Sequence, residues 1–185
     1  MISTSVQKVN HETGAARTTL LRTHAHAFCQ SLLSAPPPRE LLSQHFIPDS
    51  KDRKPTIFEH GPSWATSRLP FLGREFIGVD ECEKYFTVLS ETLKMKLSKG
   101  SFPSVDGFVV DAEKNEVCVV GKGRFESVST GRSWEEQFSY VLGGWDEQGK
   151  LGNWHIWADP LSAWVALGEE DIEGWGKGEH RSLGM

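Results

Sequence analysis

Hydrophobic spacing divides the chain into a helical first half and a strand-rich second half. Between Ala16 and Leu33, the residues Leu21, Ala25, Phe28 and Leu32 recur every three or four positions, the period of one helix face. Pro36-Pro37-Pro38 stops that helix, since proline lacks the N–H donor and biases the residue before it away from helix. A short second helix fits Arg39 to His45, with Leu41 and Leu42 as its buried points. Asp49 to Lys54 is a charged loop, and Thr56 to His60 is a brief β-rich run closed by Gly61-Pro62. Trp64 to Gly73 has no clean period and reads as an irregular, pocket-covering segment. A third helix is expected over Glu81 to Leu93, with Tyr85, Phe86, Leu89 and Leu93 as its stripe and Asp80 as its cap, paired with Glu83.

Beyond Lys94 the period changes from helical to alternating. Short strands are expected at Lys96 to Ser98 and Gly107 to Ala112. Longer ones follow at Glu116 to Ser129, Trp134 to Trp145 and Leu151 to Ala158, joined by turns at Lys114-Asn115, Thr130-Gly131 and Asp146 to Gly149. Helices first and a meander of strands after them is an α+β order. Met1 to Ala15 lacks a period and reads as a flexible arm. Gly168 to Met185, rich in Gly and Glu, reads as a flexible tail with Trp175 as its one aromatic residue. One domain, residues 16 to 167, remains.

Composition narrows the function classes. A formal charge of −5 over 185 residues argues against a nucleic-acid partner, which needs clustered Lys and Arg. No apolar run reaches the roughly 20 residues of a membrane helix, and the polar first residues lack the apolar core of a secretory signal. Cys29, Cys82 and Cys118 are odd in number and unpaired in spacing, which points to reduced thiols and a cytoplasmic setting. Seven tryptophans suit either a large core and dimer interface or the wall of an aromatic pocket.

Three motifs in order carry a resemblance. Phe125 to Gly131 is a strand ending in a Thr-Gly hairpin, Asp146-Glu147-Gln148-Gly149-Lys150-Leu151 is the next turn, and Trp157-Ala158-Asp159 closes the last strand. Together they resemble the SnoaL-like branch of the NTF2-like superfamily, over about residues 16 to 167. Ile156 to Trp164, with Gly61-Pro62-Ser63-Trp64 upstream, looks most like a fungal subgroup. The resemblance implies an α+β cone, a strongly curved and mostly antiparallel sheet wrapped around three helices from the N-terminal half, with a central pocket. It also implies isomerase, cyclase or dehydratase chemistry without a cofactor on a polyketide- or terpenoid-like metabolite. The superfamily contains non-catalytic binding and dimerisation modules as well, so fold alone leaves the reaction open.

Several residues are candidates for that chemistry. On the last strand His155, Trp157 and Asp159 share one face, expected toward the pocket, and Trp154 and Ile156 share the other, expected as a homodimer surface. His155 is a candidate acid or base, and Asp159 either orients it or caps the turn at Pro160. His60, at the end of the first strand, is either a second proton carrier or a loop-bonded histidine. Asp106 is either a buried base or part of an Asp-Gly turn. Trp64, Tyr85, Tyr140 and Trp157 are candidate ligand-binding residues. The charged positions Glu126, Glu135 and Glu136 are expected to face water or pair across strands. His24 and His26 do not share a helix face, so a metal is not expected, and no glycine-rich phosphate loop suggests a nucleotide. The expected partner is a small apolar or polycyclic metabolite.

Overall fold

The computed structural model describes residues 3–168, with side chains from residue 14 onward. The expected tail from Glu169, including Trp175, lies outside the described residues. Four helices and seven strands form an α+β domain in which the helical stretch α1 (Ser3–Leu32), α2 (Pro38–His45) and α3 (Val79–Thr92) is interrupted by β1 (Thr56–Glu59) and β2 (Glu75–Ile77). The strands β3 (Leu93–Lys96), β4 (Val109–Asp111), β5 (Glu116–Ser127), β6 (Ser133–Gly143) and β7 (Asn153–Trp157) follow, and α4 (Pro160–Leu167) ends the described chain.

The stripe read in the sequence is the buried face of α1: Leu21, Ala25, Phe28 and Leu32 are all buried. The helix starts at Ser3, however, not at Ala16, so residues 3–15 of the stretch expected to lack regular structure are helical. A helix without an apolar stripe leaves no periodic trace in the sequence. Pro38 occupies the first turn of α2, where its missing N–H costs no hydrogen bond. The N-terminus of α3 is capped from a distance: Asp49 Oδ1 accepts the Val79 N–H at 3.0 Å. Asp80 and Glu83, expected to cap that helix, instead pair with Arg39 of α2. Gly78, at φ 93°, makes the turn that brings Val79 to Asp49.

The sheet runs β2-β1-β7-β6-β5-β3, with β4 also on β5. All pairs are antiparallel except β1 with β7, where Phe58 lies beside His155. β5 bends along its length, pairing β4 through its first residues and β3 through its last. Gly121 and Gly123 permit this, because a Cβ on Gly121 would stand 2.3 Å from the Phe138 ring and one on Gly123 2.8 Å from Leu97. The bent sheet stays open, and helices pack against its concave face.

Burial alternates along β1, β5, β7 and most of β6 and fixes which residues face that core. Ile57 and Glu59 point inward from β1, Trp154 and Ile156 from β7, and Phe138, Tyr140 and Leu142 from β6. The face assignment expected for β7 is therefore reversed. Trp154 and Ile156 belong to the core, while His155 and Trp157 point to the convex outside. Register is set by the apolar parity of the strand, and on β7 that parity is Trp154 and Ile156. Among the described residues no helix is long and apolar enough to cross a membrane.

Candidate functional site

Between the concave face, α3 and α4 lies a cavity of about 50 Å³ lined chiefly by aromatic and aliphatic side chains. Among the described residues three carboxyls reach it, those of Glu59, Glu136 and Asp159, together with Tyr85 and Tyr140, and no Lys, Arg or His lines it. Trp134, Phe138 and Trp154 supply much of the wall.

Glu59 is brought in by the parity of β1, two residues after buried Ile57, and is itself only 6% exposed. Its Oε2 accepts the hydroxyl of Tyr85 from α3 at 2.6 Å. Burial pushes the Glu59 carboxyl up to about 7; the Tyr85 hydrogen bond opposes the rise and the Glu136 charge adds to it. The Tyr85 phenol is pushed well above its ordinary value by burial and by the neighbouring Glu59, so it acts as the donor of the pair.

Glu136 comes from the inward parity of β6, between Trp134 and Phe138. Burial raises its carboxyl to about 7; the Trp134 indole, whose Nε1 donates to Oε2 at 2.7 Å, opposes this, and the charge of Asp159 reinforces it. Tyr140 lies against Phe138 at a 4.8 Å ring separation and edge-on to Trp154 at 4.9 Å. Its hydroxyl has no hydrogen-bond partner among the described residues, and burial holds it well above its ordinary value. The indole Nε1 of Trp154 is the one buried side-chain polar atom without a partner among the described residues. A buried unpaired donor such as this indole N–H costs about 1–3 kcal/mol, and a site accepts that cost where a ligand supplies the missing partner.

Asp159 touches the cavity, but its carboxylate is occupied as the N-cap of α4. Oδ1 accepts the N–H groups of Leu161 and Ser162, at 3.0 and 3.1 Å, and Oδ2 accepts the Ser162 hydroxyl at 2.5 Å. Burial raises this carboxyl, yet those hydrogen bonds outweigh it and leave it below the usual carboxylate range. The capping alternative is thus the observed one.

The structure brings Tyr85, Tyr140 and Asp159 together and leaves the other candidates outside. His60 and His155 meet on the convex face, His60 Nε2 to His155 Nδ1 at 3.1 Å, with Trp157 stacked on His60 at 3.9 Å. They are separated from the cavity by the sheet itself. Trp64 is 63% exposed and edge-on to Trp164. Asp106 is exposed on a single 3-10 turn. Glu59 and Glu136 were missed as candidates, although a parity signal marked both: each shares its strand parity with apolar neighbours, Ile57 for one and Trp134, Phe138, Tyr140 and Leu142 for the other. Glu136 was expected to face water, and the unbroken apolar series around it is what turns it inward. Among the described residues no group of three or more His, Cys, Asp or Glu could hold a metal ion.

No protein-family model matches the chain, and no curated protein matches its sequence. Solved structures do. An NTF2-like protein from Burkholderia xenovorans superposes with a TM-score of 0.60 at 15% identity, over 82% of this chain and 98% of its own. The fold is NTF2-like. A protein from Jannaschia described as a SnoaL-like polyketide cyclase shares this NTF2-like architecture with a TM-score of 0.53, at 11% identity over 80% of this chain and 94% of that one. TerC, co-crystallised with polyporic acid, has a TM-score of 0.58 at 13% identity, over 80% of this chain and 98% of its own. At such identities the likeness to NTF2-like structures concerns the fold and not the reaction.

Proposed function

We propose that this NTF2-like protein is a cofactor-independent isomerase, cyclase or dehydratase of the fungal SnoaL-like type, acting by general acid–base catalysis on a small polyketide- or terpenoid-like metabolite. The observation that carries the reading is the pair of inward carboxyls, Glu59 and Glu136, both raised to about 7 in one aromatic cavity. Near neutral pH such a pair holds one proton between its members, so one carboxylate serves as base and the other carboxyl as acid.

The chemistry follows from the groups present. The ionised carboxylate removes a proton from the carbon beside a substrate carbonyl, and the electron pair moves onto the carbonyl oxygen. The unpaired Tyr140 hydroxyl donates a hydrogen bond to that oxygen. The protonated carboxyl then returns a proton at another carbon, which isomerises the substrate, or gives it to a β-hydroxyl that leaves as water. With no cationic side chain in the lining, the cavity favours neutral substrates, and its aromatic walls favour flat ones. Ligand pockets commonly measure about 300 Å³ or more, so a substrate of that size requires the side chains around the 50 Å³ cavity to move. The proposal includes a homodimer and a cytoplasmic location, the latter in keeping with three free thiols.

Turnover of neutral, carbonyl-bearing polycyclic metabolites by wild type, Glu59→Gln and Glu136→Gln tests the reading. Each variant is expected to lose about 10²- to 10⁴-fold in kcat, and the wild-type profile should be bell-shaped around neutral pH. Unchanged turnover in both variants overturns the mechanism. Stoichiometric binding without conversion favours the second reading, a non-catalytic binding module with the same cavity.

A further inference from the structure

Three tryptophans set into the domain differ in what their N–H groups meet. Trp134 Nε1 donates to Glu136 Oε2 at 2.7 Å, and Trp145 Nε1 to the Leu142 carbonyl at 3.0 Å. Trp154, at 2% exposure, has found no acceptor in the fold. Its surroundings explain why. Phe28 and Tyr140 lie edge-on to it at 5.1 and 4.9 Å, and Phe86 is tilted against it at 6.1 Å. Tyr85, at 6.0 Å, has given its hydroxyl proton to Glu59. The cavity wall does not need this donor, since Phe86 and Phe138 line the same space without one. An N–H left unpaired beside a cavity is a standing cost that an acceptor on a ligand removes.

Strand register sets this donor beside a second one. Trp154 pairs with Leu142 and Tyr140 with Ile156, so the two residues point inward from neighbouring strands, one inward position apart. Tyr140 brings the hydroxyl that also lacks a partner. Through Ile156, the level of Tyr140 continues to Glu59 on β1. Glu136 stands four residues from Tyr140 along β6, roughly 13 Å of strand, and α4 borders the cavity through Pro160 and Ala163. The unmet donors therefore gather at the end packed by Phe28 of α1 and Phe86 of α3.

We infer that the Trp154 indole N–H is a specificity-determining donor, which together with the Tyr140 hydroxyl holds a carbonyl oxygen of the ligand at the α1–α3 end of the cavity. The inference rests on the reading proposed above in taking this cavity as the ligand site, and it names the substrate class. A carbonyl oxygen has two lone pairs and no proton, so it accepts from both donors at once. A hydrocarbon end would leave both donors unmet, and an ammonium end would add further donors to them. The ligand thus enters oxygen first, with its carbon skeleton toward Glu136 and α4. It is a neutral, flat cyclic ketone whose carbonyl stands at one edge of the ring system. A site that pairs a substrate oxygen in this way rejects an analogue lacking that oxygen far more strongly than apolar contact alone does.

Indole N–H NMR spectra of the full chain with indanone and with indane, two bicyclic probes that differ by one carbonyl, test the assignment. The Trp154 signal is identified by its absence from Trp154→benzothienylalanine, which keeps the ring shape and replaces the N–H by sulfur. In the free protein that signal should stand at the upfield position of an unbonded indole. Indanone should move it downfield, and indane should not. Indanone should also bind wild type about tenfold or more tightly than indane, and the benzothienyl variant should lose most of that preference. Equal wild-type affinities for the two probes, a measurement that needs no variant, overturn the inference. So does an indanone complex in which the Trp154 signal stays in place, or a failure of indanone to bind. Those results leave the acid–base reading to its own test, the turnover of Glu59→Gln and Glu136→Gln. A downfield shift with indanone in a protein that converts none of the carbonyl metabolites overturns the enzymatic reading and keeps the Trp154 donor.

Discussion

The two faces of one sheet, a single residue apart along every strand, present titratable groups whose environments push them in opposite directions for the same reason. Inside, burial raises Glu59 and Glu136 toward neutrality. Outside, the first cause acting on His60 is again desolvation, followed by the charge of His155, and together they lower it below the ordinary histidine value. In each case removal from water favours the uncharged form, which is the protonated acid for a carboxyl and the free base for an imidazole. The concave face thereby holds carboxyls that titrate near neutrality, and the convex face an imidazole, His60, biased toward its neutral form. Alternation alone separates an aromatic cavity bearing carboxyls from an outer face bearing histidines.

The largest test of that separation compares two tryptophans three residues apart on β7. Trp154 is 2% exposed and packs edge-on against Phe28 and Tyr140, whereas Trp157 is 43% exposed. Trp154→Ala should cost about 3–5 kcal/mol of folding stability, and Trp157→Ala less than about 1 kcal/mol in the monomer. Urea titration of both variants checks this, and equal losses would mean that the two faces do not differ as described.

Next in size is the pH dependence attached to Glu59. Its folded value of about 7 lies above the ordinary 4.5, so the stability it confers is fully present below 4.5 and is lost as pH rises through 7. A shift of that size corresponds to about 3 kcal/mol. Glu59→Gln keeps an acceptor for Tyr85 and should reduce the wild-type fall in urea midpoint between pH 4.5 and 8 to the part that Glu136 contributes. A fall of undiminished size in the variant would remove burial of this carboxyl as a cause.

These tests turn on strand parity, which is also where the sequence was most and least informative. The α1 stripe, the proline stop, the long β5–β6 hairpin and the α+β order could be read because period and turn residues are local signals. The short β2 strand could not, since three residues, Glu75 to Ile77, carry too little alternation. The parallel pairing of β1 with β7 joins segments almost a hundred residues apart and leaves no local trace. The site was half legible. Tyr85 and Tyr140 stood out as hydroxyls on apolar stripes, but His60 and His155 drew the reading to their own face, because histidine chemistry was weighed ahead of the Trp154–Ile156 parity. Glu59 and Glu136 were hidden by the general rule that charge seeks water. That rule yields where every strand neighbour of the same parity is apolar.

A smaller effect is expected where the chain leaves β7 and Asp159, two residues on, caps α4. Its carboxylate satisfies two backbone donors and a hydroxyl. Asp159→Ala should cost about 1 kcal/mol, whereas Asp159→Asn, which keeps an acceptor, should cost less. If Asp159 were instead the proton carrier of the cavity, Asn would abolish turnover as fully as Ala while sparing stability, an outcome that would redraw the boundary between chamber and cap.

The smallest expected effect belongs to the outer charges. Glu126 lies between Lys94 and Lys96, at 2.9 and 2.6 Å. The hydrogen bonds from Lys96 and then Lys94 hold its carboxyl down at about 2, against an ordinary value of 4.5. The sign is opposite to that of Glu59: the contribution is present above 4.5 and is lost as pH falls through 2. Because these groups stand in water, 1 M salt, with its Debye length of about 3 Å, should erase most of it. Glu126→Gln should therefore shift the acid limb of the stability curve slightly at low salt and not at high salt, while the Glu59 dependence survives both conditions. A salt-insensitive Glu126, or a salt-sensitive Glu59, would contradict the contrast between a screened convex face and a dry concave one.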